Sequence, residues 1–101
     1  MATLSIISPS NPVNSMITAE IDRKAFTIGR YGDFKTPWGH NDVSRLHCAI
    51  LENGSDHTVR DLNSFSGTVI NGESIGNKER NLSDGDKISL GNHVVLVYRK
   101  K

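Results

Sequence analysis

The sequence predicts an all-β sandwich, and three of its features support that class. Short runs rich in β-branched and aromatic residues show the two-residue alternation of strands with one buried face. Turn-forming Gly, Asn and Asp residues separate these runs at short intervals. No stretch of useful length shows the spacing of an amphipathic helix. Many short strands around one small core are therefore expected.

The first half of the chain contains four predicted strands, at residues 3–7, 16–21, 25–28 and 43–51. Pro9 and Pro12 make residues 8–15 a loop, and Gly32, Pro37 and Gly39 make residues 31–42 irregular. In the fourth run, alternation assigns two faces, Leu46, Cys48 and Ile50 on one and His47, Ala49 and Leu51 on the other.

The second half continues the same pattern of short strands and tight turns. Asn53-Gly54 predicts a hairpin whose return strand is 58–62. Residues 63–68 form a loop, and Asn71-Gly72 turns after a short strand at 69–70. A polar loop follows at 76–80, then strands at 87–90 and 93–98. The basic residues 99–101 are expected to be a solvated tail.

Size and composition favour one globular domain. The chain has 101 residues, of which 36% are hydrophobic and 23% charged, with a formal charge of +1. That charge gives no general attraction to nucleic acid or to membranes. Its single cysteine, Cys48, excludes an intrachain disulfide and fits a reducing compartment. Neither a transmembrane run nor a signal-peptide pattern is present, so a cytoplasmic location is expected.

Three loops carry donors that suit a phosphate. Gly29-Arg30 ends one predicted strand, Ser44-Arg45 opens another, and residues 64–68 form a turn rich in serine and glycine. A guanidinium presents a planar fork of donors to two phosphate oxygens, and a serine hydroxyl can serve the third. Loops of this chemistry between short strands predict one anion-binding end of the sandwich.

Four ordered blocks of sequence resemble the forkhead-associated (FHA) domain. They are F-T-I-G-R (residues 26–30), V-S-R-L-H (43–47), D-L-N-S-F-S-G-T-V-I-N-G (61–72) and L-S-D-G-D-K-I-S-L-G (82–91). The resemblance implies two antiparallel sheets with about eleven short strands. It also implies one domain over residues 1–101, with a motif-bearing core at 26–91, that binds phosphothreonine-containing segments of partner proteins in signalling or assembly.

The resemblance assigns roles residue by residue. The phosphate would be held by Arg30 and Ser44, and the peptide would be faced by Arg45, Phe65 and Ser66. The remaining positions would shape the loops without touching ligand, namely Gly29, His47, Gly67, Thr68 and Asn71. His47 is expected to be a buried histidine with satisfied hydrogen bonds.

One departure from the family pattern leaves an alternative open. The usual Ser-x-Asn-Gly-Thr reads Ser64-Phe65-Ser66-Gly67-Thr68 here, so a serine replaces the asparagine that normally pairs with the ligand backbone. The alternative is a degenerate FHA domain that binds a partner independently of phosphorylation.

Other classes of function have little support in the sequence. The histidines lack metal-ligand spacing, and no nucleophile with an adjacent base is evident, so neither cofactor, metal nor enzymatic activity is expected. The isolated domain is expected to be a monomer without a nucleic-acid or membrane partner.

Overall fold

A computed structural model of the protein describes residues 2–8, 18–36, 42–92 and 94–100. Within these residues the chain forms eleven strands and no helix. They are β1 (Ala2–Ser8), β2 (Thr18–Glu20), β3 (Ala25–Gly29), β4 (Phe34–Lys35), β5 (Cys48–Asn53), β6 (Asp56–Asp61), β7 (Thr68–Ile70), β8 (Glu73–Ser74), β9 (Arg80–Asn81), β10 (Lys87–Leu90) and β11 (Val94–Lys100).

The strands form two sheets, which confirms the predicted sandwich. The six-stranded sheet has the order β2-β1-β11-β10-β7-β8, and the five-stranded sheet has the order β4-β3-β5-β6-β9. All pairings are antiparallel except the short parallel pairing of β3 with β4. None of the described residues belongs to a helix that could cross a lipid bilayer.

The core lies between the two sheets and follows the two-residue alternation. In β11, Val94, Leu96 and Tyr98 are fully buried, whereas Val95 and Val97 between them are only partly covered. Successive side chains of a strand point to opposite faces, so one face of each strand enters the core. The two sheets contribute to one cluster, from Leu4 on β1 to Ile50 on β5.

The predicted strand at 43–51 begins five residues too early. β5 starts at Cys48, and residues 42–47 are irregular. The imidazole of His47 accepts a hydrogen bond from the Ser44 amide at 3.1 Å, which closes a local turn in place of a strand ladder. As a result, Leu46 is 48% exposed, whereas Cys48 and Ile50, which the alternation placed on the same face, are fully buried.

Two short strands lie where the sequence predicted only loop. β4 lies inside 31–42, and β9 begins at Arg80 within the predicted polar loop. Both are two-residue edge strands, too short for any periodic signal.

Arg99 and Lys100 belong to β11 and not to a solvated tail, because they pair with Thr3 and Ala2 of β1. Their polar side chains are exposed, but the backbone partners come from a strand about a hundred residues earlier in the chain.

The remaining boundaries are close to prediction. Asn53 ends β5, so the hairpin turn consists of Gly54 and Ser55, and Gly54 adopts a positive φ of 65°. β2 begins at Thr18, whereas the predicted strand began at residue 16, and residues 16–17 lie outside the described residues. Ser8 belongs to β1. The rest of the predicted loop at 8–15 lies outside the described residues, as do residues 37–41, 93 and 101.

Candidate functional site

Three loops meet at one end of the five-stranded sheet. The register pairs Ile28 of β3 with Cys48 of β5, and Cys48 in turn with Asp61 of β6. The end of β3, the start of β5 and the end of β6 therefore lie side by side. We call the loops that continue from them, residues 30–33, 42–47 and 62–67, the binding end.

Arg30 and Ser44 are joined through their backbones. The amide of Arg30 donates to the carbonyl of Ser44 at 3.2 Å, and the amide of Tyr31 donates to the carbonyl of Arg45 at 2.9 Å. The Arg30 side chain is partly buried, and its Nε is fully covered with no hydrogen-bond partner among the described residues. A buried donor without a partner is uncommon and needs an explanation.

Gly29 allows this close approach of two loops. A Cβ at Gly29 would lie 2.8 Å from the Ser44 carbonyl oxygen and closer still to that of Arg45, nearer than side chains approach backbone. The absence of a side chain at Gly29 is thus what lets residues 44–45 pack against the end of β3.

The hydroxyl of Ser44 can still donate a hydrogen bond. Its Oγ accepts a hydrogen bond from the Phe65 amide at 2.9 Å, which orients the side chain and links the loops 42–47 and 62–67. Because a serine hydroxyl can accept and donate at the same time, its O–H can still be given to an anion.

His47 lies behind these loops and is fully buried, as predicted. Its Nδ1 accepts from the Ser44 amide at 3.1 Å, so Nε2 carries the proton and donates to the Gly67 carbonyl at 2.7 Å. Both ring nitrogens are used, and the ring fixes Ser44 from one side and Gly67 from the other.

Asp61 organises the 62–67 loop, a role the sequence analysis missed. Its carboxylate accepts from the Ser64 amide at 2.9 Å, from the Ser64 hydroxyl at 2.5 Å and from the Thr68 hydroxyl at 2.7 Å. Desolvation raises the pKa of Asp61, but the hydrogen bonds from Ser64 and Thr68 outweigh it and the net pKa is lowered. The available signal was an aspartate at the start of a turn-rich loop, where its carboxylate can accept hydrogen bonds from nearby backbone amides.

Ser66 contacts the neighbouring loop through its side chain. Its hydroxyl donates to the carbonyl of Asp42 at 2.5 Å, while the Asp42 carboxylate accepts from the Asn92 amide at 2.6 Å. Asp42 thereby connects two loops of the binding end to the β10–β11 turn, and no local pattern in the sequence pointed to it.

The other predicted site residues divide between the rim and the interior. Arg45 is exposed, with its guanidinium carbon 5.9 Å from the centroid of the Tyr31 ring, and Phe65 is 90% exposed. Thr68 is buried beneath the loop, bonded to Asp61. Asn71 lies beyond the other end of β7, where its side chain bonds Asp86 and the Lys87 amide.

Neither a metal-ligating cluster nor a reactive thiol is found among the described residues. Among the described residues no cluster of His, Cys, Asp and Glu could hold a metal ion. Burial raises the pKa of the Cys48 thiol to about 12, with Asp61 adding to the effect, so this thiol stays protonated and unreactive.

Comparison with known proteins decides the family. The sequence model of the FHA domain matches residues 26–91, which contain all three loops of the binding end. The chain belongs to the FHA domain family.

Two curated relatives share this FHA domain. The FHA domain-containing protein FhaA of Mycobacterium tuberculosis is 37% identical over 70 residues, 69% of this chain and 13% of FhaA. An oxoglutarate dehydrogenase inhibitor of Corynebacterium jeikeium is 32% identical over 71 residues, 70% of this chain. The matched region spans 48% of the inhibitor, so both relatives are much longer than the shared domain.

Solved FHA structures superpose over nearly the whole chain. The FhaA FHA domain complexed with the intracellular domain of Rv3910 has a TM-score of 0.81 and 32% identity, covering 98% of this chain and all of that one. A structure from an analysis of phosphothreonine-dependent FHA domain interactions has a TM-score of 0.82 and 31% identity, covering 99% and 96% of the two chains.

Proposed function

We propose that this FHA domain is a phosphothreonine-recognition module, in which Arg30 and Ser44 hold the phosphate of a partner protein. The observation that carries the proposal is that Arg30 and Ser44 are joined through their backbones and that each keeps a side-chain donor. Arg30 Nε has no partner among the described residues, and the Ser44 hydroxyl still has a proton to donate. Both side chains belong to the binding end, where the guanidinium and the hydroxyl are donors that suit the oxygens of an anion.

The physical chemistry of a phosphomonoester fits this pair. A phosphothreonine carries about −1.5 to −2 charge at neutral pH and three strong acceptor oxygens. Hydrogen bonds to charged groups contribute about 1.5–3 kcal/mol each, so two or three of them offset the entropy lost on association and leave a reversible contact of about micromolar strength. A solved relative studied for phosphothreonine-dependent interactions supports the same ligand.

In this proposal the remaining predicted residues have supporting roles within a single domain over residues 1–101. Arg45, Phe65 and Ser66 face the peptide, while Gly29, His47, Gly67, Thr68 and Asn71 shape the loops. The module binds without catalysing a reaction and acts in the cytoplasm.

The test measures binding of a randomised phosphothreonine peptide library and of its unphosphorylated counterpart. Arg30→Ala should abolish phosphopeptide binding, because deleting one partner of a desolvated charge pair costs about 2–5 kcal/mol. Arg99→Ala is the matched control. The next residue, Lys100, contacts Asp56 at the start of β6, whereas the binding end lies at the end of β6. Arg99 is therefore at the end of the sheet opposite Ser44.

Two results would contradict the proposal. If the Arg30→Ala variant remains folded and binds the phosphorylated library as tightly as the wild type, Arg30 does not hold the phosphate. Equal wild-type binding of both libraries would instead favour the phosphorylation-independent alternative, for which the replacement of the family asparagine by Ser66 is the supporting feature.

A further inference from the structure

Large apolar side chains are exposed mainly at the binding end. Among the described residues five are exposed, and four of them lie in its loops: Tyr31, Leu46, Leu62 and Phe65. The fifth, Ile7, lies on β1 of the other sheet. Apolar surface gathered in loops beside polar groups marks an interaction site more often than isolated exposed residues do.

Leu46 and Phe65 stand on two loops that are bound together at two points. The Phe65 amide donates to Ser44 Oγ at 2.9 Å, and His47 Nε2 donates to the Gly67 carbonyl at 2.7 Å. Leu46 lies between Ser44 and His47, the two bonded residues of its own loop, and Phe65 is itself bonded, two residues before Gly67 on the other loop. Their exposed side chains therefore rise from neighbouring backbone segments.

Phe65 also lies next to the proposed phosphate contact. Its amide is bonded to the hydroxyl that would serve the phosphate, so its ring is within one side chain's length of the ligand residue. Its exposure of 90% is the highest among the large apolar residues that the structure describes, although its backbone is held in place. A fixed backbone lowers the entropy lost when the ring is covered by a partner.

The backbone next to Arg30 and Ser44 also carries a second exposed group, which has different chemistry. There Tyr31 and Arg45 follow the two phosphate-binding residues directly, and the Arg45 guanidinium lies over the Tyr31 ring. Tyr31 and Arg45 thus present an aromatic ring together with a cation, whereas the side chains of Leu46 and Phe65 are only hydrocarbon.

We propose that Leu46 and Phe65 form an apolar subsite for a ligand side chain next to the phosphothreonine. The domain would then select phosphothreonine segments with an apolar residue in that place over segments with a polar one. This inference rests on the proposed function and specifies the class of ligand that the same site takes.

The test uses phosphothreonine peptides with an otherwise all-alanine flank, in which one leucine occupies each flanking position in turn. Binding to the wild type should strengthen by about threefold to tenfold at one or two of these positions, as expected when part of a leucine side chain leaves water. In Phe65→Ser the gain should disappear, and in Phe65→Leu it should remain. Ile7→Ser, which removes an exposed apolar side chain from the other sheet, should leave the gain unchanged.

The outcomes separate this inference from the proposed function. If the all-alanine phosphopeptide binds in a phosphate-dependent way but leucine brings no gain at any position, or the gain persists in Phe65→Ser, the subsite is wrong and phosphate recognition stands. If no phosphorylated peptide binds the wild type, both proposals fail. Thermal unfolding of each variant shows whether its fold is retained, and Leu46→Ser provides a second variant should Phe65→Ser not fold.

Discussion

His47 Nε2 donates a hydrogen bond to the Gly67 carbonyl at 2.7 Å, across 20 residues of sequence. The same ring holds the Ser44 amide through Nδ1. One buried side chain thereby sets the distance between the loop that carries Ser44 and the loop that carries Phe65. Phosphate binding should depend on this histidine although it does not face the ligand.

His47→Ala should lower both stability and affinity. The substitution leaves the Ser44 amide and the Gly67 carbonyl without their partners and creates a cavity, at a cost of about 2–4 kcal/mol in the free energy of unfolding. Chemical denaturation measures the first effect and phosphopeptide titration the second. An unchanged denaturation midpoint would show that the ring is not needed to join the loops.

Gly29→Ala should disrupt the site because its Cβ would overlap the Ser44 and Arg45 carbonyls. We expect a stability loss of about 1–3 kcal/mol and a large loss of phosphopeptide affinity, since the backbone of Ser44 must shift. Gly54→Ala is the control: its Cβ would meet nothing within 4 Å, and its positive φ adds only local strain in a distant turn. Equal affinities for the two variants would contradict the packing argument.

Stability at acid pH should depend on Asp61. Hydrogen bonds from Ser64 and Thr68 lower its pKa in the folded state below the ordinary 3.8, despite the opposing effect of desolvation. The stabilisation is therefore present above pH 3.8 and is lost as the pH falls through the lower, folded-state pKa. Denaturation curves from pH 7 to pH 2 should show a smaller acid-induced loss in Asp61→Asn than in the wild type.

The matched control for this measurement is Glu20→Gln, a change at an exposed carboxyl on β2. The unfolding free energy of Glu20→Gln should fall with decreasing pH as it does in the wild type. If the unfolding free energy of Asp61→Asn falls just as much, the hydrogen bonds to Asp61 do not stabilise the folded state.

Ser66→Ala should loosen the connection between the 62–67 loop and Asp42. Loss of the hydroxyl that donates to the Asp42 carbonyl should lower the unfolding free energy by about 0.5–1.5 kcal/mol. Because Ser44 lies two residues after Asp42, a modest loss of phosphopeptide affinity should accompany it. Ser74→Ala, on the exposed edge strand β8, is the control and should change neither quantity.

Local sequence was sufficient to predict the class of fold and to name Arg30 and Ser44 as candidate site residues. Alternation in runs such as Lys87–Leu90 appears within a few residues, and turn residues such as Asn71 and Gly72 adopt positive φ wherever the chain must reverse. Arg30 and Ser44 could be named because each lies in a short motif at a strand end. The structure then joined them by a backbone hydrogen bond.

Tertiary structure alone decided how that site is supported. Asp42 reaches Asn92 across 50 residues and Ser66 across 24, and Arg99 finds its strand partner in Thr3. The exposure of Leu46 likewise followed from a turn closed by His47, which overrode the alternation of its neighbours. Such pairings join groups distant in the chain and leave no periodic trace along it, since a hydrogen bond depends on position in space and not on spacing in sequence.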